Sequence, residues 1–115
     1  MNLITIDFET FYDVGFSLSN LTTEEYIRDP KFQVVGFAVK VDDGKTKWYS
    51  GSHEELKAEL DKIDWDNSLL VCHNMLFDGA ILSFIYNITP KIYLDTLCMA
   101  RAIHGTNAGG SLAYL

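Results

Sequence analysis

The opening segment MNLITIDFET constrains this chain more than any other stretch. From residue 3 to residue 8 it alternates, with Ile4, Ile6 and Phe8 on one side and Thr5, Asp7 and then Glu9 on the other. Period-two alternation predicts a strand with one face in a core. The apolar side must be covered, and the reverse side must present two carboxylates. Any fold open to the chain has to place this strand in a sheet and give Asp7 and Glu9 either water or a cation.

The remaining segments supply partners for that strand. Thr22 and Glu25 have the spacing of a capping box, which predicts a short helix ending before Pro30. FQVVGFAVKV places Val35, Phe37, Val39 and Val41 on one face and Gly36 and Ala38 on the other, and DDGK reads as a hairpin turn into KTKWYS. These segments predict three sequential antiparallel strands. Ser52 and Glu55 repeat the capping pattern ahead of an apolar stripe of Leu56, Leu60 and Ile63. SLLVC is a short buried strand. Met75, Phe77, Ile81, Phe84, Ile85 and Ile88 then recur at helical spacing and predict a helix packed against the sheet. Lys91 to Leu94 completes the strands, and Asp95 caps a helix through about His104. Three antiparallel strands followed by alternating helices and strands predict an α/β fold with a mixed sheet. Ser111 resembles the cap of a helix that has barely begun, so residues 1–115 are expected to be the N-terminal part of a single domain that continues further.

Composition narrows the function classes. The 115 residues can bury about two-thirds of their unfolded surface without a disulfide or a structural metal. Cys72 and Cys98 are far apart and form no C-x-x-C, which suits reduced, buried, inert thiols in a cytoplasm and gives no zinc site. No apolar run approaches the roughly 18 residues of a membrane span, so no membrane partner is expected. Nine basic residues against 16 acidic ones leave a net charge of −7, which argues against a free-standing domain that grips phosphates by counterion release. A nucleic-acid substrate would require a cation or a second domain.

Three acid-x-acid pairs occur: Asp7 with Glu9, Glu59 with Asp61, and Asp64 with Asp66. The last two belong to or follow a solvated helix, where charge carries little meaning. Asp7 and Glu9 stand apart because alternation aims both to one side of an apolar strand. Adjacent carboxylates repel unless a proton or a metal neutralises them, and Mg²⁺ or Mn²⁺ suits such hard oxygen ligands. On spacing alone the pair reads equally as solvated acids at a strand edge. The second constellation is HNMLFDGAIL after SLLVC, where Asn74 and Asp78 share a helix face. If this strand lies beside the first, Asp78 joins Asp7 and Glu9 in a cluster suited to two metal ions about 4 Å apart. The plainer reading makes Asn74 a helix cap, Phe77 core and Asp78 a favourable acid in a first turn. Trp48 and Trp65 could stack on bases, although packing roles are the simpler expectation. His73 and His104 read as structural or solvated.

IDFET, HNMLFD and YLDTLCMARAIHG together resemble the DEDD superfamily of 3′-to-5′ exonucleases, of ribonuclease H-like fold. Within it the likeness is to the N-terminal proofreading domains of phage-type family A DNA polymerases, to which YIRDPKFQVVGFAVK is also similar. The resemblance covers nearly the whole chain. It implies that Asp7, Glu9 and Asp78 are catalytic metal ligands for Mg²⁺ or Mn²⁺, and that Thr10, Asn74 and Phe77 contact the 3′-terminal nucleotides of single-stranded DNA. It further implies a C-terminal polymerase domain as partner. One departure stands out: the family's last motif is a Tyr or His four or five residues before an Asp. Asp95 is the final acid here, and Lys91 and Pro90 occupy the partner positions. The fourth ligand and the water-orienting residue are therefore expected beyond Leu115, leaving this chain weakly active or inactive alone and prone to self-association. The alternative is a catalytically silent module that binds a partner or positions DNA.

Overall fold

The computed structural model describes residues 1–105 and 109–112. Its strands are β1 (Asn2–Thr10), β2 (Val34–Val41), β3 (Lys47–Ser50), β4 (Ser68–Cys72) and β5 (Ile92–Asp95), joined in one sheet in the order β3-β2-β1-β4-β5. Strand β2 runs antiparallel to both neighbours, whereas β4 is parallel to β1 and β5 is parallel to β4. The helices are α1 (Thr23–Arg28), α2 (His53–Leu60), α3 (Met75–Ala80) and α4 (Thr96–His104). The chain is thus α/β with a mixed five-strand sheet, as the alternation of segments predicts. Among the described residues no helix is long and apolar enough to cross a membrane.

Both expected capping boxes form. The Thr22 hydroxyl accepts the Glu25 N–H at 3.2 Å while the Glu25 carboxylate accepts the Thr22 N–H at 2.9 Å. Ser52 and Glu55 make the same exchange at 3.1 and 3.2 Å. These reciprocal bonds satisfy first-turn donors that a short helix cannot pair internally. The core lies on one face of the sheet. Ile4, Ile6 and Phe8 of β1, with Phe37, Val39, Leu70 and Cys72, pack against Tyr26 and Ile27 of α1, Leu56 and Leu60 of α2, and Ile81, Leu82 and Tyr86 after α3. Trp65 joins this core, and its indole N–H donates to the Leu60 carbonyl at 2.8 Å.

The structure corrects four sequence expectations. Val35 does not share the face of Phe37: the register steps from Glu9↔Gly36 to Thr10↔Val34, so Val35 is the extra residue of a bulge and is 45% exposed while Val34 turns inward. The helix from Met75 is not uniform, because α3 gives way to a π-helical turn over Ile81–Ile85. The wider turn rotates Phe84 out of the expected stripe, to 72% exposure, and puts Leu82 and Tyr86 inside. Ile63 packs on the core from beyond the end of α2. Cys98 is exposed, not buried, whereas Cys72 is buried as expected. The helix expected from Ser111 falls mostly on residues 113–115, outside the described residues.

The π-helical turn makes a sharp prediction. Leu82→Ala is expected to cost about 2–5 kcal/mol, and Phe84→Ala to stay within about 0.5 kcal/mol of wild type. Urea denaturation of the two variants decides it, and the opposite ranking would restore the uniform helix.

Candidate carboxylate site

The site grows from the point where β4 leaves the sheet. Pairing between β1 and β4 runs from Asn2↔Ser68 to Thr5↔Val71 and goes no further. Beyond Cys72 the chain turns at Asn74, whose φ of 75° is the left-handed conformation that Asn tolerates better than most side chains. The turn sends α3 past the unpaired end of β1. Asp78, in the first turn of α3 and only 3% exposed, accepts the Phe8 N–H through Oδ1 at 3.0 Å. A carboxylate thus takes the place of a neighbouring strand for a main-chain donor that must find a partner.

Phe8 lies between Asp7 and Glu9, which project from the reverse face and are exposed. Neither carboxylate takes a hydrogen bond or ion pair from a described residue. Burial pushes the Asp78 carboxyl up to about 7, and repulsion from Asp7 and Glu9 adds to the rise, against the Phe8 N–H that favours the anion. The nearby Cys72 thiol is pushed up by its own burial and by the negative charge of Asp78, Asp95 and Asp7, which keeps it an inert thiol.

Asp95 organises the other side of the turn. Its Oδ1 accepts the N–H groups of Leu97 and Asn74, both at 2.9 Å, and its Oδ2 accepts the Met75 N–H at 2.9 Å. Burial alone would raise this carboxyl, but the three main-chain donors hold it below the usual carboxylate range. Asp95 is the expected cap of α4 and also receives the first donors of α3. Asn74 supplies no side-chain cap, which corrects its reading as the cap of α3. His73 has the structural role expected of it: Nε2–H donates to the Gly110 carbonyl at 2.6 Å, and Nδ1 lies 2.9 Å from the Thr96 hydroxyl.

The remaining candidates converge on a residue that sequence reasoning missed. The Thr10 hydroxyl lies 2.8 Å from the Tyr26 hydroxyl, which donates to the Phe11 carbonyl. The Phe77 ring sits 6.3 Å from the Tyr26 ring. Buried Tyr26 therefore ties the end of β1 to the first turn of α3, and its one available signal was that it is the only aromatic residue in α1. Glu59 and Asp61 pair with Lys62 and Lys57 on the surface, as solvated charges do, and His104 is exposed. Among the described residues no three His, Cys, Asp or Glu side chains stand close enough together to hold a metal ion. No protein-family model matches the chain, and no curated protein matches it significantly.

The raised Asp78 carboxyl sets a pH dependence. The folded state holds this proton up to about pH 7 and the unfolded chain loses it near pH 4, so stability falls as pH rises through that window. Asp78→Asn, which can still accept the Phe8 N–H, is expected to exceed wild type by about 1–4 kcal/mol at pH 8 and to match it near pH 4. Denaturant unfolding at both pH values tests this. A difference independent of pH would mean that Asp78 ionises normally.

Proposed function

We propose that the chain belongs to a metal-dependent 3′-to-5′ exonuclease domain of ribonuclease H-like fold, of the kind that proofreads for a phage-type DNA polymerase. The observation that carries this reading is the bond from Phe8 N–H to Asp78, which brings a third carboxylate to the residue between Asp7 and Glu9. Three antiparallel strands followed by parallel strands and helices, with the acid pair on the central strand, support the fold assignment. The two free thiols suit a cytoplasmic setting.

The donor atoms are of the type a hard divalent cation prefers, although the described side chains do not stand together as a ready ligand cluster. Asp7 and Glu9 have no partner among the described residues, and their charge opposes ionisation of Asp78, so a cation would relieve the repulsion among the three groups. In this reading Asp7, Glu9 and Asp78 hold Mg²⁺ or Mn²⁺, whose chemistry is to generate a nucleophilic water and to neutralise charge on the phosphodiester. The Phe8 N–H holds one oxygen of Asp78 in place. Tyr26 fixes Thr10 and Phe77 beside the site for the 3′-terminal nucleotide, and Asn74 holds the turn that presents Asp78. In this proposal the substrate is the 3′ end of single-stranded DNA and the domain serves a polymerase, while the 115-residue chain alone is expected to cleave poorly.

A second reading, a silent module that positions DNA or a partner, is favoured by one observation: no three ligating side chains stand together among the described residues. Titration calorimetry separates the two. Mn²⁺ is expected to bind in the millimolar range or tighter, about −4 kcal/mol or better, and Asp7→Ala is expected to weaken it. Identical heats for the two proteins would overturn the exonuclease reading.

A further inference from the structure

Trp48 is placed by the sheet on the same face as the acid pair. Cross-strand partners share a face, and Asp7 pairs with Ala38, which pairs with Trp48; Glu9 pairs with Gly36, which pairs with Ser50. The indole begins two strands from Asp7 but leans back toward it. A Cβ built on Gly36 would stand 2.6 and 2.8 Å from Cζ2 and Cη2 of Trp48, so the benzene edge lies against the glycine directly across from Glu9. The Tyr49 main-chain carbonyl crowds the same position even more closely, so the backbone of β3 and the ring together require glycine there. The ring edge therefore stands against β2, the strand next to β1, at the residue paired with Glu9.

The ring is also available. Trp48 is 52% exposed on an edge strand, and its N–H makes no hydrogen bond to a described residue. Trp65, the other tryptophan, is buried with its N–H bonded. Gly36 and Ala38 form a low floor between the indole and the carboxylates. Lys40, cross-strand from Thr5, adds an exposed cation to the same face. A flat π surface, a low floor, a lysine and a carboxylate pair suited to a divalent cation are what an unpaired nucleotide strand can use at one site: base on ring, phosphate on cation.

We propose that Trp48 is a base-stacking residue that holds an unpaired base of the single-stranded substrate beside the carboxylates. The proposal rests on the exonuclease reading and adds to it a position for the nucleotide chain, along β2 and β3. Stacking of this kind tolerates any base, because every base has a π face.

The test uses the whole chain with Mg²⁺ and two fluorescein-labelled probes, an oligothymidylate and an abasic strand of the same length, read by anisotropy. Trp48→Ala is expected to weaken the oligothymidylate on the order of tenfold and to leave the abasic strand unchanged, with Trp48→Phe restoring most of the loss. In parallel, Mn²⁺ calorimetry on Trp48→Ala should match wild type. Equal binding of oligothymidylate by Trp48→Ala and wild type would overturn the stacking role while leaving the exonuclease reading intact. An equal loss on both probes would overturn it too, since a structural role does not depend on bases. Wild-type protein that takes up no Mn²⁺ and binds neither probe would overturn the exonuclease reading and this proposal with it.

Discussion

The hydrogen bond from the Phe8 N–H to Asp78 is the contact on which the site depends. It exists because β4 stops pairing with β1 at Thr5↔Val71, which leaves later main-chain donors of β1 without a strand beside them. A buried donor without a partner costs about 1–3 kcal/mol, so something must approach that edge. The group that does so is an acid, and it arrives at the residue flanked by two more acids. Local satisfaction of the backbone and the gathering of negative charge are the same event.

That event has to be held against repulsion, and the turn beyond β4 is built to do so. Asp95 collects donors from the start of α3 and from the start of α4, fixing the two helices relative to each other at the carboxyl ends of β4 and β5. Two carboxylates in one neighbourhood consequently have opposite fates. Asp95 is only partly buried and meets three main-chain N–H groups that hold it as an anion, whereas Asp78 is driven toward its protonated form first by its burial and then by two like charges, against the Phe8 N–H. The contrast comes from burial first and from donors and neighbours second, since both residues are the same acid.

Much of this was legible in the residues because local rules and tertiary structure agree. Alternation in β1 assigned Ile4, Ile6 and Phe8 to the core and Asp7 and Glu9 to the reverse face, and both capping boxes formed where their spacing predicted. Two of the failures share a physical origin in events that add or displace one residue. The bulge at Val35 and the π-helical turn at Ile81–Ile85 each shift the periodicity, and a period read across such a point assigns the wrong face to Val35 and Phe84. Long-range polar contacts were equally hidden. Asp95 was readable as the cap of its own helix, but its bonds to Asn74 and Met75 depend on β5 lying beside β4. Tyr26 was invisible as the link between Thr10 and Phe77 for the same reason.

The two faces of the sheet divide the labour that the first strand imposes. One face is filled by Phe8, Phe37 and Tyr86, aromatic rings stacked or tilted on one another, and this packing fixes the height of β1 and of the segment after α3. The other face carries Asp7, Glu9, Gly36 and Ala38, side chains too small or too polar to pack on each other. Small residues there add little stability, so the strands that carry them must be secured from the core side. The rigid face therefore sets the backbone, and the open face inherits its spacing without having to close over itself. A net charge of −7 gives that open face no general attraction for a polyanion. In the proposed reading, a divalent cation supplies the positive charge beside Asp7 and Glu9 and the flat surface of Trp48 takes an unpaired base.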